Sequence, residues 1–193
     1  MRLIGLTGGI GMGKSTAALI LRERNLPVID TDVIARELVE PGTDALEEIR
    51  CRFSARVITA EGRLDRAALA GQVFADPEKR SLLESILHPR IRAAWLEEVA
   101  RWRSGKRDLG IVVIPLLFET KAESHFDQTI CIACSKATQN ARLQERGWSR
   151  EQIDLRTQAQ LPVAEKVTKS NYVVWTEGSQ ELHRRQLDRI IRS

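Results

Sequence analysis

The sequence predicts an α/β fold in which helices cover both faces of a parallel sheet, giving three layers. Short apolar runs at residues 3–6, 111–114 and 129–133 alternate with longer segments of helical periodicity. Strands that are separated by helices form parallel sheets. A glycine-rich segment, residues 8–15, joins the first strand to the first helix. A chain of 193 residues, 42% of them hydrophobic, suits a single domain with inserted subdomains.

The remaining elements follow from the same patterns and from capping residues. Asp65 and the pair Asp76-Pro77 each open a helix, and residues 149–152 (SREQ) form a capping box. The helix that opens at Asp76-Pro77 is expected to end near His88-Pro89 and a second helix to follow it. Further strands are predicted at 27–30 and 172–174, and further helices at 16–24, 32–39, 44–53, 65–73, 91–103, 136–146 and 179–191.

The segment GGIGMGKS, residues 8–15, fits the pattern G-x-x-x-x-G-K-[ST] of a phosphate-binding loop, or P-loop. Glycines let the backbone amides approach an anion, and the helix that follows directs its N-terminal dipole at the same charge. Lys14 is expected to contact the β- and γ-phosphates, and the Ser15 hydroxyl to bind Mg²⁺. The residues predicted to bind the nucleotide in this loop are Gly9, Gly11, Met12, Gly13, Lys14, Ser15 and Thr16.

Phosphoryl transfer also requires a carboxylate that orients the acceptor or the metal. Asp30 and Asp32 follow the second predicted strand, at the edge where open α/β sheets bind ligands. We favour Asp32 for catalysis because nothing else near the loop is acidic. The alternative is that either acid only caps the next helix.

Two pairs of polar side chains lie four residues apart on predicted helices in the C-terminal half. Arg142 and Arg146 share one helix face, and Arg156 and Gln160 share the next. They fit a lid over a triphosphate, and a solvated arginine face is an equally good interpretation.

Composition and missing motifs exclude several classes. The net charge of +4 and the many arginines suit nucleotides, and no basic stripe with interleaved aromatics indicates nucleic acid. No run of about 18 apolar residues predicts a membrane span, and the chain enters its first strand directly, so we expect a cytoplasmic protein. The C-x-x-C of Cys131 and Cys134 lies in an apolar run, which favours two strand cysteines over a redox or zinc pair. A GTPase would need a D-x-x-G motif after a strand and an N-K-x-D motif that recognises the base, and neither is found at a suitable place.

Taken together, the motifs resemble the dephospho-coenzyme A kinase family along nearly the whole chain. The loop LTGGIGMGKST (6–16) resembles the family's opening, and a D-x-D-x-x-A-R segment ends at Arg36. Residues 61–91 resemble its acceptor-side signature, including Asp65-Arg66 and His88-Pro89. PLLFE (115–119) resembles its central motif. The matches to its lid pattern are Gln139, Arg142, Arg146, Arg156 and Gln160.

The resemblance implies a reaction and roles for these residues. ATP would phosphorylate the ribose 3′-hydroxyl of dephospho-coenzyme A, with Mg²⁺, in the last step of coenzyme A synthesis. Asp32 corresponds to the base or orienter of that hydroxyl, and Arg142 to a lid arginine on the phosphates, with Arg146 also on the nucleotide. The residues expected at the acceptor are Asp32, Arg36, Asp65, Arg66, His88 and Pro115, although His88 could instead simply end a helix.

A domain division follows from the same resemblance. The expected parts are a core of residues 1–35 and 107–193, an acceptor-binding helical insertion at about 36–106, and a lid at about 136–162. We expect a monomer or weak homo-oligomer.

The chain departs from the family pattern at three places, one of which is a small change of turn chemistry at Phe53-Ser54, where the family has Phe-Gly. Val113 stands where the family often has Asp, and Trp175 and Thr176 stand where it commonly has Asp and Asn. Trp175 either stacks on the base or packs against the last helix, and Glu119 either orients the lid or ends a helix. The rival functions are a kinase of another small acceptor, such as a nucleoside monophosphate or shikimate, and a non-catalytic nucleotide-binding module.

Overall fold

A computed structural model describes residues 1–192, which fall into two compact units. The first unit contains Met1–Asp30 and the chain from Arg101 onward, and the second contains Thr31–Ala100. The strands are β1 (Arg2–Gly8), β2 (Val28–Asp30), β3 (Leu109–Val113), β4 (Gln128–Ala133) and β5 (Tyr172–Trp175). The α-helices are α1 (Lys14–Glu23), α2 (Thr31–Glu37), α3 (Asp44–Phe53), α4 (Arg66–Ala75), α5 (Pro77–Ser104), α6 (Lys136–Glu145), α7 (Arg150–Gln158), α8 (Val163–Lys169) and α9 (Gln180–Arg192).

The first unit is built on one five-stranded sheet in the order β2-β3-β1-β4-β5, with parallel pairing throughout. The predicted parallel α/β fold is therefore confirmed. Strand β1 lies in the centre, and its residues Leu3–Leu6 are apolar apart from Gly5 because both faces of the strand are covered. The hydrophobic core of the first unit joins β1, β3 and β4 to α1 and α9. Ile4, Leu21 and Leu187 are fully buried in it.

The second unit is helical and has a hydrophobic core of its own, in which Ile49, Val57 and Ile86 are almost completely buried. Caps start its helices where the sequence predicts them. Thr43 accepts a hydrogen bond from the Leu46 amide, and Asp65 accepts from the amides of Ala67 and Ala68 at 3.0 and 2.9 Å. Each cap satisfies amides that a first helical turn leaves without a partner.

Helix α5 contradicts the predicted break at His88-Pro89, because it runs without interruption from Pro77 to Ser104 with Pro89 inside it. A proline inside a helix removes one backbone hydrogen bond and crowds the carbonyl group four residues earlier, at a cost of about 3 kcal/mol. Buried residues on both sides of it, Ile86 and Trp95, keep the helix packed. His88 therefore does not end a helix.

Helix α8 is an element that the sequence patterns did not predict. It begins after Pro162 and is seven residues long, too short to show a clear periodicity. Proline at the start of a helix loses nothing, because the first amides have no helical partner.

The two cysteines of the C-x-x-C segment lie where the strand interpretation places them, Cys131 in β4 and Cys134 just after it. Both are buried free thiols. Burial raises the pKa of Cys131 to about 11, against a smaller opposing effect of Lys166 and Lys14. Thiols with raised pKa values are poor nucleophiles at neutral pH.

Candidate active site

The phosphate-binding loop follows β1 at the carboxyl edge of the sheet. Gly8, the last residue of β1, has a φ of 145°, and a Cβ on it would lie 2.2 Å from the Ile132 carbonyl oxygen of the neighbouring strand. Gly13 takes the N-cap position of α1 with a φ of 97°, in the left-handed region, and offers no side-chain cap. No side chain therefore caps the first amides of α1, and an uncapped helix start directly after a glycine turn suits an anion.

Lys14 and Ser15, the first two residues of α1, supply the cation and the hydroxyl of this loop. The Lys14 ammonium group donates to the carbonyl oxygens of Gly8 and Gly9, both at 2.9 Å. These contacts hold its long side chain over the loop. The Ser15 side chain is exposed.

Two glutamine side chains hold Ile10, in the middle of the loop. The Ile10 amide donates to Gln160 Oε1 at 3.2 Å, and its carbonyl oxygen accepts from Gln139 Nε2 at 2.7 Å. Gln139 is buried on α6, and Gln160 lies between α7 and α8. Both belong to the predicted lid pattern, and here they bind the loop itself.

Arg142 on α6 is bound to Thr176, which follows β5. Its Nη1 donates to the Thr176 hydroxyl at 2.9 Å and its Nη2 to the Thr176 carbonyl oxygen at 2.6 Å. The same hydroxyl donates to the Met12 carbonyl oxygen at 2.9 Å. Thr176, which the sequence marked only as a departure from the family pattern, therefore joins the arginine to the phosphate loop.

A cavity of about 210 Å³ borders the loop. It brings together five of the predicted site residues, Gly11, Gly13, Thr16, Arg142 and Arg146. The segment that follows Thr176 closes its other side. The remaining lining residues are Thr176, Gly178, Ser179, Gln180 and His183.

His183 on α9 is a cavity residue that sequence reasoning missed. It is only 4% exposed, and within residues 1–192 its Nε2 atom has no hydrogen-bond partner. Burial lowers its pKa, and the Arg142 cation lowers it further. The ring is therefore neutral near pH 7. A histidine in a charged segment such as ELHRRQ gives no sequence signal of such a position.

Glu177 stabilises the start of α6. Its carboxylate accepts hydrogen bonds from the Ser135 amide at 2.9 Å, the Thr138 hydroxyl at 3.0 Å and Trp175 Nε1 at 3.2 Å. The bonds from Ser135, Thr138 and Trp175 lower its pKa to about 2. Trp175 is 43% exposed. Its backbone amide donates to Gln186 on α9 and its ring nitrogen to Glu177, so stacking on the base and packing against the last helix both stay predictions.

Asp30 and Asp32 belong to different units, Asp30 to the first and Asp32 to the second. Asp30 is the last residue of β2, paired in register with Val113, which is itself level with Leu6 of β1. It therefore lies at the same sheet edge as the phosphate loop. Asp32 lies in the first turn of α2, two residues further on.

The other predicted acceptor residues of the second unit have clear local positions. Arg36 lies in the last turn of α2 and Arg66 is the first residue of α4. Asp65 caps α4 with one carboxylate oxygen. His88 is half-buried in α5, and its pKa is lowered. Burial is the main cause; the nearby Glu84 carboxylate opposes the shift, and the Arg92 cation adds to it.

The PLLFE segment after β3 contacts a lysine that the sequence did not single out. The Pro115 carbonyl oxygen accepts from the Thr7 hydroxyl at 3.1 Å and from Lys166 Nζ at 2.6 Å. Glu119 forms an ion pair with Lys166 at 2.7 Å and accepts from the Leu161 amide at 2.8 Å. Glu119 thus holds the end of the predicted lid and does not end a helix.

Arg156 of the predicted lid lies over the ring of Trp148, 4.3 Å from its centroid. Ser149 and Gln152 form the predicted capping box at the start of α7. These contacts hold the α6–α7 connection together.

Comparisons with known proteins agree with the loop and the sheet. The sequence model of the dephospho-CoA kinase family matches residues 2–181. A dephospho-CoA kinase of Anaeromyxobacter dehalogenans is 44% identical over 192 residues, which cover 99% of this chain and 91% of the relative.

Two solved structures share the fold. A Thermus thermophilus protein, titled TT1252, has a TM-score of 0.85 and 37% identity, and the match covers 99% of this chain and 96% of that one. Dephospho-CoA kinase from Campylobacter jejuni has a TM-score of 0.72 and 27% identity, with coverage of 100% and 96%. The predicted P-loop architecture is thereby confirmed.

Proposed function

The chain belongs to the dephospho-CoA kinase family, and we propose that it transfers the γ-phosphoryl group of ATP to the ribose 3′-hydroxyl of dephospho-CoA. The products are coenzyme A and ADP. The observation that carries the proposal is the cavity in which Arg142 and Arg146 border the same space as Gly11 and Gly13. Cations and backbone amides around one cavity suit a polyphosphate.

The proposed chemistry is mainly positioning and charge stabilisation. Phosphoryl transfer passes through a loose transition state, with negative charge spread over the transferred oxygens. Amides at the start of α1 bind the phosphates, and Lys14 exchanges its contacts with Gly8 and Gly9 for phosphate oxygens. Arg142 stabilises the charge that develops in transfer.

Magnesium is part of this proposal. Mg²⁺ keeps several waters and takes only one or two protein ligands beside the substrate phosphates. The exposed Ser15 hydroxyl at the start of α1 fits that demand, and no group of three or more metal-binding side chains occurs within residues 1–192. Ser15 would hold the ion, which would neutralise charge on the β- and γ-phosphates.

Asp32 is proposed as the residue that orients the acceptor hydroxyl and takes its proton. In a loose transition state the hydroxyl loses its proton late, so an ordinary carboxylate is a sufficient base. The support is its position in the D-x-D-x-x-A-R segment, directly after β2. Asp30 in the same segment is the alternative.

The acceptor side and the lid are proposed from the resemblance. Residues 36–106 would bind dephospho-CoA, with contacts from Arg36, Asp65, Arg66 and His88, and from Pro115 in the core. Residues 136–162 would form the lid that closes over ATP and excludes water. Two contacts at the end of this segment support a lid anchored at its base: Glu119 accepts from the Leu161 amide, and Gln160 accepts from the Ile10 amide of the phosphate loop.

The proposal extends to the protein's surroundings. We expect the chain to act in the cytoplasm as a monomer or weak homo-oligomer, without nucleic acid. No helix within residues 1–192 has the length and hydropathy that a membrane span requires. Sedimentation at several concentrations tests the oligomeric state, and its repetition with duplex DNA tests the expected lack of nucleic-acid binding.

A coupled ADP-release assay with three separate acceptors tests the function. Dephospho-CoA, adenosine monophosphate and shikimate are supplied in turn with ATP and Mg²⁺. We expect turnover with dephospho-CoA alone and a product heavier by one phosphate, which NMR assigns to the ribose 3′ position. Turnover with another acceptor contradicts the substrate, and ATP binding without transfer to any acceptor favours the non-catalytic module.

A lysine pair provides the matched control for that assay. Lys14→Ala should remove activity while the fold persists, as circular dichroism and thermal unfolding report. Lys136→Ala, an exposed lysine at the start of α6, should retain it. Equal activity in the two variants would contradict phosphate binding by Lys14.

A further inference from the structure

Lys166 is the most deeply buried charged residue in the described part of the chain, with a side chain 0% exposed. An ammonium group loses its hydration when buried, which costs several kcal/mol unless acceptors replace the water. Two acceptors do so here: Glu119 Oε1 at 2.7 Å and the Pro115 carbonyl oxygen at 2.6 Å. Moving the ammonium group away from these acceptors would leave a buried charge without a partner, which is costly. The two contacts therefore hold the lysine side chain in place.

Each acceptor of Lys166 is also bound to a segment next to the phosphate loop. The Pro115 carbonyl oxygen accepts from Thr7, the residue before Gly8. Glu119 Oε1 accepts from the Leu161 amide at 2.8 Å, and so holds the short connection between α7 and α8. One buried ammonium group thus fixes two chain segments at once.

The Leu161 contact sets the position of Gln160, the preceding residue. Gln160 Oε1 accepts from the Ile10 amide at 3.2 Å, across 150 residues of sequence. Gln139 holds the Ile10 carbonyl oxygen from the other side. The middle of the phosphate loop is therefore held by side chains from outside it, and one of them stands on the segment that Glu119 anchors.

We propose that Glu119 and Lys166 are positioning residues that hold the phosphate loop in its binding conformation through Gln160, without touching the nucleotide. The proposal rests on the proposed function only in that the loop binds the phosphates of ATP. A loop held in advance does not lose conformational entropy when the ligand binds. Loss of the Gln160 contact should therefore weaken nucleotide affinity more than it weakens the fold.

A double-mutant cycle on Glu119 and Gln160 tests this inference. Gln160→Leu removes the acceptor for Ile10, and Glu119→Gln keeps an acceptor oxygen for Leu161 while removing the charge that pairs with Lys166. The measured quantity is the Kd of a non-hydrolysable ATP analogue with Mg²⁺, by calorimetry and without acceptor. Glu165→Gln, at an exposed glutamate next to Lys166 on α8, is the matched control for Glu119→Gln.

We expect Gln160→Leu to raise the Kd about tenfold, the equivalent of one hydrogen bond, and Glu119→Gln to raise it about threefold. The double variant should bind no more weakly than Gln160→Leu alone, because Glu119 acts through Gln160. Glu165→Gln should bind as the parent does.

Three outcomes overturn the inference: multiplied effects in the double variant, an unchanged Kd in both single variants, or a Kd raised as much by Glu165→Gln as by Glu119→Gln. Lys166→Met would test the lysine directly, but it leaves the Glu119 carboxylate unpaired and so endangers folding of the variant. The double-mutant cycle on Glu119 and Gln160 is therefore the deciding test. Because no acceptor is present, a wrong acceptor assignment leaves this test intact. A parent protein that bound no analogue would overturn both the inference and the proposed function.

Discussion

Arg142 binds Thr176 with both terminal nitrogens of its guanidinium group, at 2.9 Å to the hydroxyl oxygen and 2.6 Å to the carbonyl oxygen. The two residues lie 34 positions apart in the sequence. Since the Thr176 hydroxyl also donates to the Met12 carbonyl oxygen, the arginine, the segment after β5 and the phosphate loop form one hydrogen-bonded unit.

Thr176→Val tests this unit, because valine keeps the shape and removes the hydroxyl. Arg142 then loses one acceptor and the Met12 carbonyl oxygen loses its donor. At about 1 kcal/mol for each of two bonds, we expect kcat/KM for ATP to fall about thirtyfold. Steady-state kinetics with varied ATP measure it. Thr176→Ser should retain most of the activity, and equal kinetics in the two variants would refute the role of the hydroxyl.

Asp32→Asn tests the proposed base. The amide cannot take the proton of the acceptor hydroxyl, so kcat should fall about 10²- to 10⁴-fold, while the KM for ATP stays near that of the parent. Rapid-quench single-turnover kinetics separate the chemical step from product release. Asp30→Asn is the matched control. A slow Asp30 variant beside a fully active Asp32 variant would transfer the role to Asp30.

His183 gives the stability a predictable pH dependence. Its pKa is lowered in the folded chain, so below pH 6.5 the unfolded state binds a proton that the folded state does not. Its contribution to stability is present above that pH and is lost as the pH falls, with a slope of at most about 1.4 kcal/mol per pH unit. We expect His183→Leu to lose less stability than the parent between pH 7.5 and pH 5.5 in urea unfolding.

His88 also has a lowered pKa, so the pH dependence of the His183 variant should be reduced and not abolished. The same pH dependence in the parent and in His183→Leu would contradict the prediction.

Glu177 should also make stability fall with falling pH, but over a lower pH range than His183. Its pKa of about 2 lies below the ordinary value of 4.5, so its stabilising effect is complete above pH 4.5 and is lost as the pH falls toward 2. Glu177→Gln should lower the Tm at pH 7, and the difference from the parent should shrink below pH 4.5. Scanning calorimetry from pH 7 to pH 2.5 measures it. A gap that stayed constant with pH would assign the effect to packing.

Local features of the fold were predictable because they depend on neighbours in the sequence. The α3 helix has the bounds that its pattern predicts, and the caps at Ser149 and Asp65 form as expected. The prediction of a helix break at Pro89 was wrong, because buried side chains on either side of the proline keep α5 together.

Site residues with a motif were predictable, and those defined by a distant partner were not. Lys14 and Arg142 stand out by pattern and spacing. Lys166 lies in a polar segment, AEKVTKS, in which no sequence pattern marks one lysine as buried. Its burial is understandable only from Glu119 and Pro115, which lie on a different segment of the chain.

The sequence by itself determined the order of strand, glycine loop and helix, and with it the phosphate-binding chemistry. Backbone freedom at glycine and the free amides of a first helical turn depend only on adjacent residues. Only the tertiary structure decided which side chains hold that loop: Gln160 on Ile10, Thr176 between Met12 and Arg142, and Lys166 behind Glu119. The strand order places these residues side by side, and no local pattern encodes contacts across so many intervening residues.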